Sequence, residues 1–390
     1  MAQYKTNVGH VILGLLNGIK HTPKTIAPIL NINPEELENI ISGELGLTSD
    51  IEAKLCSIIG INQRDFYPAE AQHLFPVIDD TNDGVVIFRA QDTLKSRRTL
   101  TRGPANTPYY VYADTAMTNI STFRPEWIKQ LYVHDGENAD ELPDWAFNKG
   151  HFEHQVTYFI GPVNFYWIGK EGERRVCQMD TGDTNYIVPF VPHSFTTRRE
   201  GEGLILAVTY GGAISNNEFR SKIEALSTEE YLEDTNGKLQ DLLIADKNIL
   251  GGVNILKYPN SCGSEISLVY SVCQPYTKTR EVFLSYGDCI AERVPSDRWG
   301  YNIGDSDIIF EWSGGNVCRI CRLNPGDSFF IKPGTLHAFK RIAGFHQNLK
   351  LLIIDIRPQL GDPYVELALI KKYAGEAGLK RVHTETTRWF

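Results

Sequence analysis

Four side chains that can hold a metal ion stand within five residues of one another: His151, Glu153, His154 and Gln155, at the head of an apolar, strand-like run. A fifth candidate, His193, closes the stretch Gly182-Asp-Thr-Asn-Tyr-Ile-Val-Pro-Phe-Val-Pro-His193, whose Tyr186–Val191 portion also reads as a strand. Imidazole nitrogen combined with an oxygen donor, with coordination positions left open, suits a mononuclear non-haem iron and oxygen chemistry. His151 and His193 are the best pair of ligands. Side chains alternate faces along a strand, so His151, Glu153 and Gln155 share one face and His154 takes the other. Alternation leaves Glu153 and Gln155 both open as the third ligand. A carboxylate is the commoner partner of two imidazoles, whereas a neutral amide leaves the metal more positive and readier to take an anion. The plain alternative is a pair of buried, hydrogen-bonded histidines with no metal.

An anionic substrate needs cations and hydrogen-bond donors, each bond to a charged group contributing about 1.5–3 kcal/mol. Lys20, Arg102, Tyr110, Asn148 and Thr209 are the candidates. Arg102 and Tyr110 flank a span that can fold over a barrel mouth, Asn148 precedes His151 by three residues, and Lys20 comes from an N-terminal helical region. Taken singly, each is equally well explained by solvation or packing. Together they describe a pocket of phosphonate or phosphate size.

The elements that must position these residues follow from local patterns. Residues 8–66 read as short helices, with apolar positions at helical spacing and start signals at Thr22-Pro, Asn33-Pro and Ser49 or Asp50. Such a module resembles a helix-turn-helix, but Glu35, Glu36 and Glu38 would repel phosphate where a recognition helix would lie. Residues 67–100 read as a connector. From Pro108 to Tyr210 the pattern is of short strands, residues 217–247 return to helical spacing, and strands resume from Glu265 to Ile356 before a helix over 365–377.

One internal repeat sets the architecture. In Gly182-Asp…Pro189…His193 and Gly326-Asp…Pro333…His337, proline follows glycine by seven residues and histidine by eleven. Aligning Gly161 with Gly304 carries Val294 onto His151 and Arg298 onto Gln155, a one-residue slide gives Pro295 and Trp299 instead, and with either the second copy lacks the first ligands. The expected fold is mainly β with α: a helical domain over 1–66, a metal-binding jelly-roll barrel over 67–216, a helical connector over 217–250, and a metal-free second barrel over 251–390.

Bulk properties narrow the function classes. A net charge of -9 argues against a nucleic-acid partner. The longest apolar run, Leu351-Leu-Ile-Ile, is far short of the roughly 18 residues of a membrane span. The N-terminus carries no basic leader, so a cytoplasmic protein is expected. Seven cysteines, an odd and scattered set, are not a disulfide framework. Cys318 and Cys321 lie three apart in a strand-like run, on opposite faces, which speaks against joint chelation.

With these residues in view, the chain resembles the phosphonate-processing cupin iron enzymes, over most of its length. Asn17-Gly-Ile-Lys20-His-Thr resembles the segment that supplies that family's substrate-binding lysine. Arg102, Tyr110 and Asn148 match its phosphonate-contacting residues, with Tyr112 as the alternative to Tyr110. Thr209 falls where the hydroxyethylphosphonate dioxygenase branch has a serine. That branch takes a glutamate ligand six residues before the second histidine, where this chain has Ile187. The methylphosphonate-forming branch is similar to this chain instead, with isoleucine there and a glutamine ligand four residues after the first histidine, as Gln155 follows His151.

The resemblance therefore implies Fe(II) held by His151, Gln155 and His193, with Ile187 beside the ligands. It also implies O2-dependent cleavage of the C–C bond of 2-hydroxyethylphosphonate to methylphosphonate and carbon dioxide or bicarbonate, without 2-oxoglutarate. Lys20, Arg102, Tyr110, Asn148 and Thr209 would fix the phosphonate. A homo-oligomer is expected, Lys20 serving its own or a neighbouring chain. One departure is that residues 217–247 are short for the second helical module often found in the family. The competing readings are the dioxygenase, yielding hydroxymethylphosphonate and formate, and a cupin-type transcription regulator.

Overall fold

The computed structural model of the chain describes residues 8–9, 11–13, 15–16, 19–67, 74–121, 123–148, 150, 154–169, 172–187, 191–210, 253–256, 270–274, 277–284, 289–314, 317–341 and 349–356. The expected helical connector at 217–250 and the helix at 365–377 lie outside these residues. The described chain is mainly β with few helices.

Three short helices follow helical residues within 8–16. In α1 (Pro23–Leu30), Thr22 caps the N-terminus in a reciprocal capping box with Thr25, and Pro23 occupies the first turn, where its missing N–H costs nothing. In α2 (Pro34–Ser42), Asn33 plays the same part by accepting from the Glu35 N–H. The cap of α3 (Ser49–Ile59) is Thr48, one residue before Ser49 and two before Asp50, the candidates named from the sequence. Ile12, Leu16, Ile26, Leu30, Leu37 and Leu55 form the shared core of this head.

The strands form two pairs of antiparallel sheets. In the front pair, the larger sheet runs in the order β11 (Val253–Leu256), β8 (Thr184–Ile187), β5 (His154–Ile160), β10 (Leu204–Tyr210), β4 (Phe123–Gln130), β3 (Thr107–Asp114), β2 (Arg98–Arg102). It is faced by β7 (Arg174–Met179), β6 (Val163–Ile168) and β9 (His193–Thr197). In the rear pair the order is β1 (Val85–Phe88), β18 (Ser328–Ile331), β15 (Asp297–Asn302), β20 (Lys350–Ile356), β13 (Thr277–Phe283), β12 (Tyr270–Gln274). The sheet facing it is β14 (Cys289–Glu292), β19 (Leu336–Arg341), β16 (Ile308–Gly314), β17 (Val317–Leu323).

Aromatic side chains join the faces within each pair. Phe195 stacks with Phe165 and tilts against Phe159 at the front; Phe310, Phe329 and Phe339 do the same at the rear. Alternation then decides what each large sheet does. On β5, Gln155, Thr157 and Phe159 face into the front pair, while Tyr158 turns the other way. Tyr158 donates to Glu281 of the rear sheet and belongs to one core cluster with Trp299, Leu352 and Ile354. Burial of each such large side chain is worth about 1.5–3 kcal/mol, so the two pairs are welded back to back.

Two strands cross between the pairs: β1, from the stretch read as a connector over 67–100, completes the rear sheet, and β11 completes the front one. The repeated Gly-Asp has a physical reason. Gly182 and Gly326 sit at φ 97 and 83, open to glycine at no steric penalty. The aspartate that follows accepts from the N–H three residues back, Asp183 from Asp180 at 2.7 Å and Asp327 from Asn324 at 2.9 Å.

Candidate metal centre and anion pocket

His193 opens β9 and is fully buried. Its Nδ1 lies 2.8 Å from the Val191 carbonyl oxygen, an acceptor, so Nδ1 carries the proton. The lone pair is left on Nε2, the form in which imidazole binds metal. Asn148 grips the same residue from both sides. Its backbone N–H donates to the His193 carbonyl at 3.0 Å, and its Oδ1 accepts from the backbone N–H groups of His193 at 2.8 Å and Gly150 at 3.0 Å. With Oδ1 so engaged, the amide Nδ2 is the atom turned toward His193 Nε2, 3.0 Å away.

Gln155 is the inward-facing residue at the start of β5, between Ile187 on β8 and Thr209 on β10. Its Nε2 donates to Thr157 Oγ1 at 2.8 Å. A carboxamide tied down by its nitrogen presents its oxygen elsewhere, and oxygen is the atom a metal takes from an amide. A neutral imidazole nitrogen and an amide oxygen fit a divalent first-row ion. Among the described residues, no three His, Cys, Asp or Glu side chains converge as a metal site. His151, named from the sequence as the further ligand, lies outside the described residues, as does Glu153. The side chain of His154 does too, although its backbone begins β5.

Lys20, Arg102, Tyr110 and Asn148 line one pocket with Gln155 and His193. Tyr112, the alternative to Tyr110, lines it as well. The Arg102 guanidinium lies over the rings of Tyr109 and Tyr110, 4.8 and 5.0 Å from their centroids, and donates to the Ala146 carbonyl. The Tyr110 hydroxyl accepts from the Phe195 backbone N–H at 2.9 Å.

Lys20 reaches this pocket from the helical head of the same chain. It is buried and held at φ 55, a left-handed conformation costing an ordinary residue about 1–2 kcal/mol. The preceding carbonyl, Ile19, accepts from Arg98 Nη2 at 3.0 Å, and Arg98 is in turn paired with Asp114 at 2.8 Å. Beside this latch His21 is kept neutral, its pKa lowered to about 4 by burial and by Arg98.

Two of the sequence candidates fall beside the pocket. Thr209 stands next to Gln155 in the sheet, but its hydroxyl donates to the Arg124 carbonyl at 3.3 Å. Ile187 is fully buried opposite Gln155, where it offers no donor atom. Sequence reasoning missed Thr157, Arg98 and the pocket carboxylate Glu126. Thr157 had a usable signal, two residues after Gln155 on the same strand face. Arg98 and Glu126 had none, because their roles arise from pairings across the sheet.

No protein-family model matches the chain. The chain is 32% identical over 462 aligned positions to the methylphosphonate synthase of Nitrosopumilus maritimus (strain SCM1), covering 99% of this chain and 96% of the relative. It is 25% identical over 198 positions to the (S)-2-hydroxypropylphosphonic acid epoxidase of Streptomyces wedmorensis, covering 49% of this chain and 89% of that protein. Among solved structures, Streptomyces albus HEPD with 2-hydroxyethylphosphonate and Fe(II) bound superposes with a TM-score of 0.60 at 23% identity, covering 91% and 93% of the two chains. The fold is thus of the mainly β, cupin-like class, with the pocket inside the front sheet pair. With that agreement along nearly its whole length, the chain belongs to the methylphosphonate synthase family.

Proposed function

We propose that this chain is a non-haem iron(II) oxygenase that cleaves the C–C bond of 2-hydroxyethylphosphonate with O2, giving methylphosphonate and carbon dioxide or bicarbonate. Methylphosphonate and carbonic acid together contain every atom of 2-hydroxyethylphosphonic acid and O2, so no second reductant is required. One observation carries the reading. The neutral donors Gln155 and His193 share their pocket with two cationic and two neutral hydrogen-bonding side chains, Lys20, Arg102, Tyr110 and Asn148. Lys20 and Arg102 outnumber the single carboxylate Glu126 in the lining, and the attraction of a cation for a phosphonate grows as the pocket sheds water.

His151, Gln155 and His193 would hold the iron, which supplies oxygen activation when bound. Lys20 and Arg102 neutralise the phosphonate, the Asn148 amide N–H group and the Tyr110 hydroxyl orient it, and Thr209 backs Gln155 from the neighbouring strand. Ile187 supports methylphosphonate as the product, since the dioxygenase branch would need a glutamate there.

The wider architecture follows the same reading. The two sheet pairs are two cupin barrels, the front one metal-binding and the rear one metal-free. The three helices are a helix-turn-helix-like head used for packing, since Glu35 and Glu38 are exposed on α2 and would repel DNA. No described helix is long and apolar enough to cross a membrane. The partners are small molecules and, in a homo-oligomer, further copies of the chain.

The test is anaerobic loading with Fe(II), followed by 2-hydroxyethylphosphonate and O2, with products read by phosphorus NMR. Methylphosphonate supports the assignment. Hydroxymethylphosphonate, or no turnover by the iron-loaded chain, overturns it.

A further inference from the structure

The strand β4 runs Phe123-Arg-Pro-Glu-Trp-Ile-Lys-Gln130, and its even-numbered residues share the side on which Glu126 and Ile128 line the pocket. A carboxylate in this wall calls for a reason. Glu126 is only 5% exposed, in a lining suited to an anion. Burying such a charge is costly unless it meets donors. The registers set it in one row across the sheet: Thr157 on β5, Ala207 on β10, Glu126 on β4 and Asp114 on β3. Gln155, Thr209 and Arg124 make the next row on that face, so Glu126 stands two strands across and one row along from the candidate ligand.

The charged and titratable groups around it have defined roles. Asp114 pairs with Arg98 at 2.8 Å. Arg124 donates through Nη1 to the Phe123 carbonyl at 3.0 Å, and Arg102 donates through Nη1 to the Ala146 carbonyl. His193 keeps its proton on Nδ1 and adds no charge. The Tyr112 hydroxyl stays protonated, its pKa raised well above the usual range by burial first and by Glu126 next. Among the described residues, the charges of the lining itself are Lys20, Arg102 and Glu126, one positive in sum.

An ionised carboxylate only accepts hydrogen bonds, and so does a phosphonate that has lost both protons. Side by side the two repel. A phosphonate that keeps one proton has a P–O–H group to donate, and its single negative charge equals the sum of the lining. We propose that Glu126 is a further substrate-binding residue that sets specificity, accepting the P–O–H proton of a hydrogen phosphonate monoanion whose other oxygens are held by Lys20 and Arg102. The proposal rests on the phosphonate reading given above. The second proton of a phosphoryl group leaves near neutral pH, so the required form is at hand. A sulfonate of the same skeleton has no such proton. It would set an oxygen against the Glu126 carboxylate with nothing between them, and a site rejects an analogue by leaving its polar groups unpaired.

The test is anaerobic calorimetry of Fe(II)-loaded, full-length chains with 2-hydroxyethylphosphonate and with 2-hydroxyethylsulfonate, at pH 8 in two buffers of different ionisation enthalpy. The free phosphonate is then mostly dianion, so the parent is expected to take up close to one proton per phosphonate bound. Glu126→Gln keeps the shape and loses the charge. It should lower the preference for phosphonate over sulfonate by about 10- to 100-fold, the effect of one hydrogen bond to a charged group. Most of that change should come from tighter binding of the sulfonate, and the proton uptake should vanish. A carboxylate that only ordered Lys20 would, on removal, weaken both anions alike. One that only diluted the positive field would, on removal, strengthen both alike. Either result overturns the proposal, and so does a parent that binds the phosphonate without proton uptake. That last measurement needs no variant and decides the matter even if Glu126→Gln does not fold. A parent that binds no phosphonate overturns the proposed function as well, whereas the other failures leave that function standing.

Discussion

Gln155 donates its carboxamide N–H to the hydroxyl of Thr157 across 2.8 Å, inside the front sheet pair and out of contact with water. The bond decides which end of the amide faces the pocket. Reversed, the amide would turn an NH2 group toward a metal, and NH2 is no ligand. Thr157→Val keeps the shape and removes the acceptor. It is expected to weaken binding of Fe(II), or of Co(II) as an optical probe, by about 10-fold, within the range for supporting partners of metal ligands. Thr157→Ser should restore it. An unchanged Co(II) isotherm for Thr157→Val would show that the bond does not orient the ligand.

The third ligand is separable from its neighbour. Gln155→Ala is expected to lose iron affinity by more than Thr157→Val does, whereas Glu153→Ala keeps it. Equilibrium dialysis of the two variants against Fe(II) under argon decides the matter, and the opposite order would reassign the ligand to Glu153.

The anion side of the pocket is tested by saturation with substrate. Arg102→Gln removes a guanidinium that is held by the rings of Tyr109 and Tyr110 and by the Ala146 carbonyl. A lost charged hydrogen bond of about 1.5–3 kcal/mol corresponds to a fall in kcat/KM of about 10- to 100-fold. Arg102→Lys should recover only part of it, because an ammonium does not reproduce the planar stacking. Equal activity of both variants with the parent would remove Arg102 from the site.

Acid sensitivity follows from His337. Burial first, and Arg298 beside it, lower its pKa to about 4 despite the Thr335 hydrogen bond, against about 6.5 in the unfolded chain. Between those values the unfolded chain binds a proton that the folded chain refuses, so stability falls as pH drops from 6.5 toward 4. The full effect is about 3 kcal/mol. His337→Gln should flatten that part of the profile. Melting temperatures of both chains between pH 7 and 4 test this, and parallel curves would contradict it.

What was legible in the sequence was whatever depends on local spacing. The Gly-Asp turns with a histidine eleven residues later revealed the repeat, the match of Gly161 to Gly304 placed Arg298 opposite Gln155, and the strand registers carry that correspondence. The proline-started helices were also plain. Strands that break the apolar pattern were not. In β7, Arg174, Arg175 and Gln178 interrupt the apolar alternation. In β4, Arg124 and Glu126 are charged yet buried, because one face of that strand forms the wall of a polar pocket. The exchange of β1 and β11 left no local trace, since neither sequence, VVIF or VNIL, names the sheet it pairs with.

The latch formed by Arg98, Asp114 and the Ile19 carbonyl has a consequence for the order in which the pocket is assembled. The donors on β5 and β9 belong to the body of the molecule, whereas Lys20 belongs to a head with its own apolar interior. A nascent or proteolysed chain whose head has come undocked would retain the residues named for iron and lose a hold on the anion. Docking of one domain on another would then govern the supply of substrate, separately from the supply of metal.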